Sequence, residues 1–305
     1  MAWKTIHKGC SHCGWSRDRT PVYHGEPGET LEMETQEASG GKLHVDSSVA
    51  DLSRLSPDTA NPVTGPIYIE GAQPGDLLEV TLLGFDLSSW GWTAIIPGFG
   101  LLLEDFSQPW LRISEIKKGI VCFGDGLELP AQPFPGTIGV AANEETPLAA
   151  IPPHRCGGNL DCRDVVEGAS LFLPVEVPGA LFSLGDTHAA QGGGEVCGTA
   201  IEAPMRVQLR FTLHKGRGRE GLFLTSSAST SFSGKRKIHI TLGVAPDLVG
   251  AARQAVSRMI DWLVKTWSLA PEVAYAWCSV RGDLRIAQIV NLPSYTVQFS
   301  MPYPG

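Results

Sequence analysis

Residues 185–202 gather a carboxylate, an imidazole and a second carboxylate around a glycine turn: Asp186, His188, the run Gly192-Gly193-Gly194, then Glu195. Asp186 and His188 are two residues apart, so on a strand both side chains leave the same face. Three consecutive glycines let the backbone turn tightly and approach a neighbour closely just before Glu195. This order suits a strand end that presents a metal or proton-transfer site. The competing reading is a glycine-rich hairpin whose polar groups bond the local backbone. His44 and Asp46 repeat the two-apart spacing. They join Asp186 and His188 around one ion if the two segments face each other, and otherwise form a hydrogen-bonded pair on a strand. A third polar cluster, residues 151–164, sets His154, Cys156, Asn159, Asp161 and Cys162 around the Gly157-Gly158 turn. Near the start of the chain, Cys10 and Cys13 with His7 and His12 offer four zinc-type donors, against an arm with ordinary polar contacts.

These residues need elements to hold them. Leu181, Phe182 and Leu184 read as a buried strand running into Asp186, and residues 171–177 as another. Pro27-Gly28, Pro74-Gly75 and Pro178-Gly179 each precede an apolar run. Proline suits the second position of a type II turn, and glycine the positive φ of the third. The last two turns also follow similar segments, Ile67-Tyr68-Ile69 and Leu171-Phe172-Leu173, which points to two related β modules. Alternation marks strands at 205–213 and 238–244, read as an antiparallel pair across the loop at 215–220, with His214 and His239 as sheet or surface residues. Leu248, Ala252, Val256, Met259, Leu263 and Trp267 make one apolar stripe on a helix at 246–267. A shorter helix is expected at 271–280 and a strand at 285–290, with Asp283 and Arg285 as an ion pair. Trp90, Trp92, Phe99, Phe106 and Trp110 form either a pocket wall or core packing. The expectation is a β-dominated α+β protein: two sandwich- or barrel-like modules, residues 1–150 and 151–305, meeting at one site under a C-terminal helical cover.

Several of these segments resemble the acetamidase/formamidase family of amide hydrolases. They are Gly157-Gly158-Asn159-Leu160-Asp161, Leu171-Phe172-Leu173-Pro174-Val175 and Gly185-Asp186-Thr187-His188-Ala189-Ala190-Gln191-Gly192. Residues 64–76, the turn at 96–100 and residues 278–286 are similar as well, in the same order along nearly the whole chain. The resemblance implies hydrolysis of a small formamide- or acetamide-like carboxamide to carboxylate and ammonia. A hydrolase must generate hydroxide, stabilise an oxyanion and protonate the departing ammonia. A divalent metal, with zinc expected, activates water for this task. Asp161, His188, His44 and Asp46 are its candidate ligands, with Asp186 either a further ligand or the acceptor that orients His188. Glu195 is assigned the proton shuttle. Asn159 or the backbone amides of 192–194 are candidate oxyanion donors. The family commonly has Gly-Asp-Gly-Glu where this chain has Gly192-Gly193-Gly194-Glu195, and other residues where it has His154-Arg155-Cys156. Both changes bear on substrate choice. One alternative is a cysteine nucleophile, Cys156, Cys162 or Cys197; another is a non-catalytic metal- or small-molecule-binding β protein of the same fold.

Composition narrows the classes further. At 305 residues, with 43% hydrophobic and 18% charged residues, the chain is ordinary for a folded protein with a sizeable core. A net charge of −8 argues against nucleic-acid binding and against docking on anionic membranes. No apolar run approaches a membrane span and residues 1–7 lack the core of a secretory signal. Seven scattered cysteines, an odd number, do not read as a disulfide framework. The expected setting is the cytoplasm, and the expected assembly a homo-oligomer.

Overall fold

Strands Thr30–Glu34, Ser170–Pro174 and Met205–His214 bury alternate residues along most of their length, the period of a sheet with one face on a core. They belong to a nine-stranded sheet, and a second sheet has eleven strands. The computed structural model describes residues 3–226 and 237–303. Leu31, Met33, Val80 and Leu209 of the first sheet and Ile67, Ile138, Phe182 and Leu184 of the second share one buried apolar cluster. The fold class is thus the β-dominated α+β one expected. Segments before and after residue 150 give strands to both sheets.

Gly28, Gly75 and Gly179 have φ of 93°, 93° and 71°, as type II turns require. The last two turns also organise the sheets. Val63–Ile69 leads through Pro74-Gly75 to Leu77–Leu87, and Ser170–Pro174 leads through Pro178-Gly179 to Phe182–Ala190. Each unit crosses from one sheet to the other. The first strand of each pairs antiparallel with the second strand of the other. This reciprocal exchange ties the sheets together and fixes where Phe182–Ala190 begins. All nine residues of that strand are buried. Its neighbours are Phe134–Gly139, Val63–Ile69 and Ile201–Glu202.

Met205–His214 and Ile238–Ala245 are not partners. The former lies between Thr30–Glu34 and Leu77–Leu87, the latter between Phe223–Ser226 and Tyr295–Pro302. The four-residue strand Phe223–Ser226, too short to show a period, belongs to the connection between them. The long helix spans Leu248–Trp267, because Asp247 is its N-cap and accepts the Gly250 amide at 2.7 Å. Its buried row is Ala251, Ala255, Met259 and Leu263 rather than the full predicted stripe. Gly243 explains the rotation: a Cβ there would strike the Ala251 carbonyl, so bare backbone lets the small alanine row settle on the sheet. A second helix, Pro271–Arg281, and the strand Asp283–Gln288 follow. The Asp283–Arg285 ion pair forms at 2.6 Å.

Candidate metal centre and active site

Four backbone segments aim acidic groups at one imidazole. Asp186 and His188 project from the fully buried strand, with Asp186 Oδ1 3.5 Å from His188 Nε2. Asp161 follows the strand Gly157–Asn159, and its amide bonds the Gly136 carbonyl at 3.1 Å. Glu195 follows the glycine turn, which the Gly194 amide pins to the Ala287 carbonyl at 2.9 Å. Glu202 lies directly across from His188 in the sheet. Asp161, Asp186 and Glu195 have φ of 45°, 48° and 49°. Left-handed backbone at a non-glycine residue costs on the order of 1–3 kcal/mol and clusters at functional sites. Gly136 supplies the room: a Cβ there would sit 2.5 Å from Asp161 Oδ1 and 2.7 Å from His188 Cε1.

Gln191 sets the tautomer of His188. Its amide nitrogen donates to the Asp161 and Ala287 carbonyls at 2.9 and 3.3 Å. Its oxygen is therefore the atom that accepts from His188 Nδ1 at 2.9 Å. With the neutral ring's proton on Nδ1, Nε2 presents a lone pair. Around it stand Glu202 Oε2 at 3.2 Å, Asp186 Oδ1 at 3.5 Å, Glu195 Oε1 at 3.9 Å and Asp161 Oδ1 at 4.0 Å. His188 Nε2, Asp161 Oδ1 and Glu202 Oε2 are buried without a hydrogen-bond partner. Buried acceptors facing one another are unfavourable unless a proton or a cation lies between them. Burial raises Asp161 to about 6 and Glu202 to about 7. Burial and then the Asp161 charge push Glu195 well above the usual carboxylate range. Burial pulls His188 down, but the Glu202 and Asp186 carboxylates outweigh it and hold the ring well above its ordinary value.

The donor atoms of Asp161, Asp186 and His188, and those of His188, Glu195 and Glu202, form two sets, each within 4.8 Å. One imidazole with several carboxylates suits zinc or a similar divalent ion. The partners behind the cluster are neutral: Asn291 donates to Asp161 Oδ2 at 2.5 Å and Asn61 to Asp186 Oδ2 at 2.7 Å. Such groups orient carboxylates without competing for their charge. Asp186, Glu195 and Glu202 form the floor of a cavity of about 310 Å³, walled by Leu52, Leu55, Trp92, Ile96, Phe99 and Ile151.

Known proteins carry the same arrangement of elements. A family model described as acetamidase/formamidase matches residues 4–150 and 142–304. The chain belongs to the acetamidase/formamidase family. A crystal structure of an acetamidase from Bacillus halodurans is 32% identical, covers 98% of this chain and 97% of its own, and superposes with a TM-score of 0.89. A formamidase of Methylophilus methylotrophus is 24% identical over 96% of this chain and 89% of its own length. An acetamidase of Mycolicibacterium smegmatis is 26% identical over 67% of this chain. The match spans 66% of that relative and 64% of one from Schizosaccharomyces pombe.

In this acetamidase/formamidase family member, Asp161, Asp186, His188 and Glu195 come together, while His44 and Asp46 do not. Those two lie exposed beside and within a turn outside the cluster, where the backbone bends instead of extending as a strand. Asn159 lines the cavity, its oxygen bonded by the Thr137 hydroxyl at 2.7 Å. The amides of 192–194 are poorly placed as donors: Gly192 and Gly193 are exposed and Gly194 is committed to Ala287. Trp92 and Phe99 line the cavity, but Phe106 is exposed and Trp110 packs toward Phe123. Cys156 and Cys162 are fully buried away from the cavity, and burial raises both thiols. The Cys197 thiol donates to the Thr199 carbonyl at 3.2 Å. At the N-terminal end, His7 bonds Glu34 and His12 bonds Ser183; no metal-type cluster among the described residues includes Cys10 or Cys13. Reading the sequence missed Glu202, Gln191 and Asn291 as site residues. Glu202 closes the stretch that opens at Gly185, but only the pairing of His188 with Glu202 reveals its role.

Proposed function

We propose that the protein is a zinc-dependent amidohydrolase acting on small linear carboxamides. The observation that carries this reading is the set of buried, unpartnered donor atoms converging at the floor of an apolar cavity. The acetamidase and formamidase relatives support the reaction class. Asp161, Asp186, His188 and Glu202 would hold the ion. A divalent cation in such a site polarises a carbonyl and brings the pKa of water beside it to near ~7. The remaining work falls to the chain. Asn159, with its oxygen engaged by Thr137, turns its amide N–H groups to the substrate carbonyl oxygen. Glu195, whose acid form burial favours, would pass a proton to the departing nitrogen. Water oxygen adds to the carbonyl carbon and the C–N bond breaks; water gives up two protons, one to the nitrogen and one that restores Glu195, so that carboxylate and ammonium leave.

No helix among the described residues is long and apolar enough to cross a membrane. Seven free cysteines fit a reducing compartment, and we place the protein in the cytoplasm. Exposed Val273, Tyr275, Trp277 and Val280 on one helix favour a homo-oligomer, which light scattering would reveal. Ammonia release from acetamide and formamide tests the central reading: activity falls on chelation and returns with zinc. Glu195→Gln lowers turnover by about 10²–10⁴-fold with zinc still bound. Zinc binding without turnover of any amide would instead make it a binding protein.

A further inference from the structure

The cavity is larger than the smallest amides need. At about 310 Å³ it falls within the range of about 300–1,000 Å³ that small-molecule pockets occupy, whereas acetamide has four non-hydrogen atoms. Its chemistry is also divided. Every ionisable group lining it, among the described residues, is a carboxylate on the floor: Asp186, Glu195 and Glu202. The less buried walls include Leu55, Ile96, Phe99 and Ile151 beside Ser56 and Pro57, with no lysine, arginine or histidine among the described lining residues.

We infer that the preferred substrates are primary amides whose acyl group is neutral, apolar and several carbons long, rather than formamide or acetamide. This rests on the proposed amide hydrolysis at the same site. A primary amide is polar at one end only, and among the described lining residues Asn159, Asp186, Glu195 and Glu202 gather strongly polar groups at the buried end of the cavity. The amide end therefore sits at the floor and the acyl group runs outward along Leu55, Ile96 and Phe99. An N-alkyl group would push apolar surface against the carboxylates. An acyl chain ending in a carboxylate would bring that charge against Leu55, Ile96 and Phe99, with no lysine, arginine or histidine among the described lining residues to meet it. Small amides leave the apolar walls wet and gain nothing from them. Burial of each added methylene raises kcat/KM by about fourfold while room lasts.

The test compares zinc-loaded protein on acetamide, propionamide, butyramide and pentanamide, with N-propylacetamide and succinamate alongside. The expected result is a rise of about fourfold per methylene. N-propylacetamide, an isomer of pentanamide, should fall below it, and succinamate below butyramide, each by more than roughly tenfold. Leu55→Trp, which fills the outer cavity, should lower the pentanamide-to-acetamide ratio of kcat/KM; a melting curve checks that it folds. A flat or falling series from acetamide to pentanamide overturns this inference and leaves the hydrolase reading standing. No cleavage of any amide by the zinc-loaded protein overturns both. The series on the unaltered protein decides even if Leu55→Trp does not fold.

Discussion

Gln191 touches no substrate in this account, yet it determines which nitrogen of His188 faces the carboxylates. Replacing it by leucine removes the acceptor for Nδ1 and frees the ring to rotate or change tautomer. Gln191→Leu should weaken zinc binding by about 10–100-fold, read by competition with a coloured chelator. Gly136→Ala tests the same centre from the other side. Its methyl would press on Asp161 Oδ1 and the His188 ring, so metal affinity should drop while a far-ultraviolet spectrum stays native. Normal affinity in both variants would contradict the assignment. At this scale the sequence was partly legible. The i, i+2 spacing of Asp186 and His188 and the glycine turn before Glu195 carry the site in their own order. Glu202, Gln191 and Asn291 were not legible, because each acts through a pairing or a loop return that no local pattern records. His44 and Asp46 had the same spacing as Asp186 and His188 but lie at a turn, so spacing alone was misleading there.

The Pro-Gly units are the elements on which the site depends. Gly75 and Gly179 both have positive φ, but their surroundings differ: a Cβ on Gly75 meets nothing within 4 Å, while one on Gly179 would enter the Tyr68 ring. Gly75→Ala should therefore cost only the backbone strain, about 1–2 kcal/mol. Gly179→Ala should cost a further 1–3 kcal/mol, roughly, for overpacking. Urea denaturation of the two variants measures the difference, and equal losses would contradict the role given to Tyr68. These turns were legible because proline and glycine fix their own dihedrals. The reciprocal strand exchange was legible only as a repeat, since which strand pairs with which is a long-range property. The same limit produced the wrong partner for Met205–His214. The helix stripe was rotated because Gly243, on a different element, decides how closely the helix sits.

Across the whole molecule, the buried acids tie stability to pH and to metal. Asp161 and Glu202 rise in the folded protein from 3.8 and 4.5 to about 6 and about 7. Their contribution is complete below the unfolded values and lost as pH rises through the folded ones. His188 and Glu195, both raised, act in the same direction. Metal-free protein should thus melt at progressively lower temperature as pH rises from about 5 to 8. A saturating divalent ion should reverse that slope, because it binds the ionised carboxylates and so stabilises the folded state more as pH rises. The composition argued correctly for a folded protein with a large core, and the family resemblance extended over most of the chain. The most direct measurement of the central claim is zinc stoichiometry on the purified protein and on Asp161→Asn and Glu202→Gln, paired with ammonia release from the same samples. The account predicts zinc held by the unaltered protein, with zinc and amide turnover lost together in both variants. Turnover that survives complete removal of metal, or zinc held equally well by both variants, would contradict it.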